Sequence, residues 1–171
     1  METRSERKKT MLWPKITLMF IIVPGVADVL IPALILAAFR QLRLPPFGIS
    51  QGIGCLLAAL GLAAVIWVCQ AFARRGKGTP APFDPPRRFV MEGLYRWVRN
   101  PMYIGAGILI PLGEAFFFET FWLALYAALL WLGLHLYITR FEEPALIRRF
   151  GRPYRKYLRT VPRWLPHPPK E

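Results

Sequence analysis

Long apolar stretches alternate with shorter polar ones along this chain, and the alternation predicts its elements. Residues 16–39, from Ile16 to Phe39, carry one charge, Asp28. Residues 49–72, from Ile49 to Phe72, carry none. Residues 102–118, from Met102 to Phe118, carry only Glu114, and residues 120–139, from Thr120 to Thr139, hold no Asp, Glu, Lys or Arg. Each stretch is close to the ~20 apolar residues that cross a ~30 Å hydrocarbon layer. A spanning segment must satisfy its own backbone polar groups, so helices are expected. The pattern predicts an all-α integral membrane protein with about four transmembrane helices.

The polar segments differ in kind. Residues 1–15 are a basic N-terminus, and 16–72 form a two-span hairpin. The loop 73–101 opens with Gly76, Gly78, Pro80, Pro82, Pro85 and Pro86, an irregular linker. From Arg87 to Arg99 it turns mixed apolar and basic, which suits a short surface helix ahead of Pro101. The second pair of spans fills 102–139, and 140–171 is a C-terminal segment. There, Phe150, Tyr154, Tyr157 and Val161 fall at helical spacing among Arg148, Arg149, Arg152, Arg155, Lys156 and Arg159. That pattern predicts a basic amphipathic segment lying on the membrane surface, broken in two by Gly151 and Pro153. With 171 residues, the whole is one membrane domain.

Charge sets the orientation. Of 23 Lys and Arg, all but Arg40 and Arg43 lie in the N-terminus, the 73–101 loop or the C-terminal segment. The positive-inside rule makes that side, with both termini, cytoplasmic. The net charge of +13 and the pI of 10.6 are thereby explained by topology and by anionic membrane lipids as partners. A nucleic-acid partner is not expected. A signal peptide is not expected either, because its apolar region is only ~7–15 residues long and the first stretch here is longer and contains Pro24 and Pro32. Cys55 and Cys69 share one span, fourteen residues and therefore about 21 Å apart, beyond disulfide reach.

Ionisable groups inside a span are costly and default to functional hypotheses. Asp28, near the middle of the first span, suits a proton or cation site, or a carboxyl hydrogen-bonded to a neighbouring helix. Glu114, near the outer end of the third, is placed to reach headgroups. His135 lies about one turn inside the cytoplasmic end of the fourth span. His135, Thr139 and Glu142 share a face if that helix continues, but Pro144 should end or kink it at Glu143. Asn100, Pro101, Tyr103 and Gly105 open the third span at the same depth. Together with Glu142 and Glu143 they form the best candidate site.

No GxGxxG, GxxxxGK[ST], HExxH, CxxC or GxSxG pattern occurs. Instead, Arg99-Asn100-Pro101-Met102-Tyr103-Ile104-Gly105 is followed after one span by Glu142-Glu143, then Phe150-Gly151, Tyr154, Tyr157 and Val161-Pro162. This order resembles the membrane methyltransferases that comprise the isoprenylcysteine carboxyl methyltransferases and the phospholipid N-methyltransferases. Asn100 and Glu-Glu-Pro look more like the phospholipid enzymes, and the tail more like the isoprenylcysteine enzymes.

The resemblance implies an S-adenosylmethionine-dependent methyltransferase in a bacterial or archaeal cytoplasmic membrane. Its acceptor would be lipid-like or isoprenylated, carrying a carboxylate or an amine. Asn100, Tyr103, Gly105, His135, Glu142, Glu143, Tyr154 and Arg163 would line the cofactor pocket, with Gly105 letting the backbone approach and the C-terminal segment covering it. For an amine acceptor, His135 or Glu142 would remove the proton. Two rivals stand beside it: a small proton-coupled transporter that uses Asp28, and a nicotinamide-dependent membrane reductase.

Overall fold

The computed structural model describes residues 24–75 and 92–169. The basic N-terminus, the first part of the predicted first span and the Pro-rich linker lie outside the described residues. Every regular element among the described residues is helical. Helix α1 is Val26–Ala38, α2 is Ile49–Arg75, α3 is Pro101–Phe118 and α4 is Phe121–Phe150. A short helix α5, Arg152–Thr160, follows. Helices α2, α3 and α4 are each long and apolar enough to cross a membrane, while the described part of α1 is shorter. Large apolar side chains such as Leu34, Leu56, Leu60, Leu62, Ile66, Leu129 and Leu132 face outward. Apolar surface on all sides of a helix bundle is what a lipid environment requires.

Pro144 does not end the fourth helix. The helix runs on to Phe150, and the turn before the proline widens instead. The same device occurs three times among the described residues. Wide turns at Val26–Leu30, Gly105–Leu109 and Ile138–Glu142 each end two residues before a proline, Pro32, Pro111 and Pro144. In each, the residue just before the proline donates its N–H five residues back, Ile31 to Val26, Ile110 to Gly105 and Glu143 to Ile138. A proline ring collides with the carbonyl four residues earlier and lacks an N–H. One π-type turn moves that carbonyl aside without breaking the helix. At 30 residues, α4 measures about 45 Å and so outreaches a ~30 Å hydrocarbon layer.

Glycines set how closely α2 and α3 pack. A Cβ on Gly54 would lie 2.6 Å from the Gly113 carbonyl oxygen, and one on Gly113 would lie 2.6 Å from that of Gly54. Gly61 and Gly105 repeat the pairing at 2.8 and 2.6 Å. Small residues at such crossings let two antiparallel backbones touch, which is how helices associate where no hydrophobic force separates protein from lipid. Ser50 Oγ and Gln51 Nε2 extend the seam by donating to the carbonyls of Phe116 and Phe117, at 2.7 and 3.0 Å. At that end Glu119, in the left-handed conformation, turns α3 into α4. Thr120 caps α4 and its hydroxyl donates to Gln41 Oε1. Phe39 stacks on Trp122 with centroids 3.9 Å apart, which ties α1 to α4.

At the opposite end the expected surface helix before Pro101 is reduced, among the described residues, to one 3-10 turn at Gly93–Arg96. Gly151, at φ 63°, does break the C-terminal segment in two, with Pro153 in the first turn of α5. The apolar stripe of α5 does not lie in the membrane as expected. Tyr154, Tyr157 and Val161 are buried against protein, packed with Leu146, Ile147 and Phe150. The Tyr157 hydroxyl donates to the Tyr95 carbonyl at 2.8 Å, which fastens α5 to the turn preceding α3. The arginines and Lys156 of α5 are left on the outside.

Candidate active site at the end of the bundle

Three segments meet where α3 starts and α4 emerges: the approach to Pro101, the widened end of α4, and the chain after α5. The post-α5 chain is laid along the first of these by backbone bonds, Arg99 N to Pro162 O at 2.9 Å and His167 N to Trp97 O at 3.0 Å. The Asn100 side-chain amide donates to the Arg163 carbonyl at 3.3 Å. Asn100 thus sits at the N-terminus of α3 and ties it to the C-terminal segment.

Glu143 is the hub. Arg163 donates to both its oxygens, Nε at 3.0 Å and Nη2 at 2.8 Å, and Arg99 Nη1 donates to Oε1 at 2.7 Å. The carboxylate is buried, as is most of Arg99. Burial lowers the pKa of Arg99 below the usual guanidinium value, and Glu143 offsets part of that. The hydrogen bonds that Arg163 donates to Glu143 raise its own pKa. Tyr154 is buried close to this trio, and its hydroxyl pKa rises through burial first and Glu143 second.

Glu142 points elsewhere. The Tyr103 hydroxyl donates to its Oε2 at 2.9 Å, and no hydrogen bond from a described residue reaches Oε1. So the two adjacent carboxylates differ. Glu143 is neutralised by two arginines, while Glu142 is half-buried with no cation on it among the described residues.

His135 completes the wall. Trp164 Nε1 donates to its Nδ1 at 3.0 Å, and Trp131 packs beside both rings at centroid distances of 5.6 and 6.2 Å. An indole N–H is only a donor, so Nδ1 is an acceptor and the neutral imidazole carries its proton on Nε2. Replacing Trp164 by Phe should release this tautomer at a cost of about 1 kcal/mol. Nitrogen NMR of histidine-labelled protein checks it, since His135 and His167 are the two histidines.

Of the residues expected at the site, Asn100, Tyr103, His135, Glu142, Glu143, Tyr154 and Arg163 come together at this end of the bundle. Gly105 does not join them: the space its Cβ would take belongs to Gly61, Val65 and Ala64 of α2. Arg99, Trp131 and Trp164 were missed. Arg99 stands directly before Asn100 in the signature run and Trp164 directly after Arg163, so adjacency was the available signal. One polar atom here lacks a partner among the described residues, the buried Arg99 Nε.

The family model for phospholipid methyltransferase matches residues 49–153, well over half of the chain. The chain belongs to the phospholipid methyltransferase family. No curated protein and no solved structure matches it. The phospholipid methyltransferase match takes in α2, α3 and α4, and with them Arg99, Asn100, Tyr103, His135, Glu142 and Glu143. Membrane methyltransferases of this family generally use S-adenosylmethionine. The residues present fit such a group. Arg99 has a buried N–H to give a carboxylate, Glu142 has an uncompensated charge for a cation, and Trp131 and Trp164 offer flat apolar faces.

Proposed function

We propose that this protein transfers a methyl group from S-adenosylmethionine to an amine on a lipid-like acceptor, at the cytoplasmic face of the membrane. The observation that carries this reading is the family match over two of the three segments that build the cluster, the approach to Pro101 and the end of α4. It also favours methyl transfer over transport or nicotinamide-dependent reduction. The bound cofactor supplies a methyl group on a positively charged sulfur. Arg99 and Arg163 would hold the cofactor's carboxylate, and Glu142 would offset its positive charge. The aromatic faces of Trp131 and Trp164 and the Asn100–Arg163 tie keep donor and acceptor aligned, an effect worth up to about 7–11 kcal/mol in favourable systems. Glu143 positions the two arginines and the C-terminal segment.

When the amine nitrogen takes the methyl group, one proton must leave. His135 Nδ1 is occupied by Trp164, which leaves Glu142 Oε1 as the acceptor and His135 Nε2–H as a donor to an acceptor oxygen. Glu142→Gln should therefore lower transfer by about 10²–10⁴-fold with the thermal midpoint unchanged. Purified protein, membrane lipid and labelled S-adenosylmethionine test the reading. Label should enter the lipid fraction and resist mild alkali, as an N-methyl group does. Alkali-labile label would mean a methyl ester and a carboxylate acceptor, and no lipid label from folded protein would contradict the reading.

A further inference from the structure

The outer face of α5 carries charge that nothing near it in the chain answers. Arg152, Arg155, Lys156 and Arg159 are exposed. At about 100° per residue they fall within one arc of the helix, about 100° wide, opposite the buried Tyr154, Tyr157 and Val161. Arg148 and Arg149, at the end of α4, are exposed beside the turn into α5. From Pro144 to Pro169 the sequence holds no Asp or Glu. Among the described residues no carboxylate pairs with the four cations of α5. They repel one another instead. Arg152 and Lys156, like Arg155 and Arg159, stand four apart, a spacing at which like charges destabilise a helix. The helix is held by its buried tyrosines, and its cations are left to an anionic partner.

Membrane lipid is the nearest source of one. From Phe121 to Thr139 α4 has no Asp, Glu, Lys or Arg, so Arg140, the first charge, marks the edge of the apolar layer. Arg163 bonds to Glu143, three residues or about 5 Å beyond Arg140 along the helix, so the end of α5 lies level with the headgroups. The chain then dips further. Trp164 donates to His135 Nδ1 at 3.0 Å, and His135 is five residues, or about 7 Å, on the apolar side of Arg140. Leu165, the next residue, is 80% exposed, and Trp97, whose carbonyl accepts from His167 N, is 44% exposed. An exposed leucine and an exposed indole at that level suit the boundary between headgroups and acyl chains.

We propose that α5 is a docking surface for anionic phospholipid, whose headgroups bind the face of Arg152, Arg155, Lys156 and Arg159 while Leu165 seats in the edge of the acyl layer. The chain that follows α5 carries Arg163 and Trp164, which hold Glu143 and His135, so docking also fastens that chain over the candidate site. Tighter cofactor binding on anionic lipid rests on the proposed function; the docking itself does not.

Full-length protein in nanodiscs of phosphatidylcholine, with and without phosphatidylglycerol, tests this by hydrogen exchange and mass spectrometry. Residues 152–169 should exchange about tenfold or more slowly with phosphatidylglycerol present, while α2 is unchanged. The difference should shrink at high salt, which screens exposed charge. Combining Arg152→Gln, Arg155→Gln, Lys156→Gln and Arg159→Gln should abolish it, and replacing the three arginines by lysine should keep it. If the glutamine variant misfolds, Leu165→Gln takes its place and should reduce the difference. Equal exchange of wild type in the two lipid mixtures, or an undiminished difference in the folded glutamine variant, overturns the docking. Equal protection by inorganic phosphate added to phosphatidylcholine discs overturns it in favour of a soluble anion. S-adenosylmethionine titrated into the same discs should bind more tightly with phosphatidylglycerol. Protection with unchanged cofactor affinity overturns the fastening over the site. Protection with no cofactor binding in either disc upholds the docking and contradicts the proposed function.

Discussion

Glu143→Ala is expected to cost about 3–5 kcal/mol, because it strands two guanidinium groups in a largely buried setting. Arg99 and Arg163 would face each other with no carboxylate between them, and burial alone already disfavours the charge on Arg99. The damage should be directional. Arg163 anchors the chain after α5, so the backbone bonds Arg99 N to Pro162 O and His167 N to Trp97 O should open with it. Hydrogen exchange followed by mass spectrometry should show the segments around Arg99 and His167 losing protection before α2 and α3 do. Glu142→Gln should leave that protection intact, since among the described residues Glu142 holds only the Tyr103 hydroxyl. Equal loss of protection in the two variants would refute the division of labour between the adjacent carboxylates.

The second large effect concerns Gly105. In the signature run its small size reads as room for the cofactor. In the bundle, a Cβ there lies 2.6 Å from the Gly61 carbonyl oxygen and 3.0 Å from a methyl of Val65. Backbone cannot yield as a side chain can. Gly105→Val should therefore destabilise by at least about 1–3 kcal/mol, the usual cost of overpacking, by forcing α2 and α3 apart. Gly61→Val should do the same. Gly133→Ala is the control: nothing lies within 4 Å of its Cβ position. Replacing that glycine inside a helix should be neutral or stabilising, by up to about 1 kcal/mol. Thermal unfolding in detergent by circular dichroism reads all three. If Gly105→Val keeps its midpoint and loses only S-adenosylmethionine binding, the glycine serves the cofactor instead.

Much of the fold was legible because the bilayer leaves few choices. The long apolar stretches became α2, α3 and α4 with starts shifted by at most a residue, as at Pro101 rather than Met102, while α4 runs on past the expected Thr139 to Phe150. Of the two outcomes expected at Pro144, an end or a kink, the end does not occur, for a physical reason. The rule that a proline disfavours a helix before it holds for a four-residue hydrogen-bond spacing, and a single wider turn escapes it. Sequence spacing also brought Asn100, Tyr103, His135 and Glu142 to one depth. It did not distinguish Glu142 from Glu143, because neighbours on a helix differ only in direction, and direction depends on where Arg99 and Arg163 arrive from distant chain. Trp164 was invisible for the same cause: its indole meets His135 across 29 residues. The stripe of Tyr154, Tyr157 and Val161 was read correctly as apolar and wrongly as lipid-facing, since periodicity shows that a face is buried and not what buries it.

The central claim is that the cluster at the end of the bundle binds S-adenosylmethionine. Calorimetric titration of the purified protein in nanodiscs tests it most directly, with S-adenosylhomocysteine as competitor and Glu142→Gln alongside. Saturable binding of one cofactor per chain is expected, displaced by the competitor and weakened in the variant. No binding by folded wild-type protein with lipid present would contradict it.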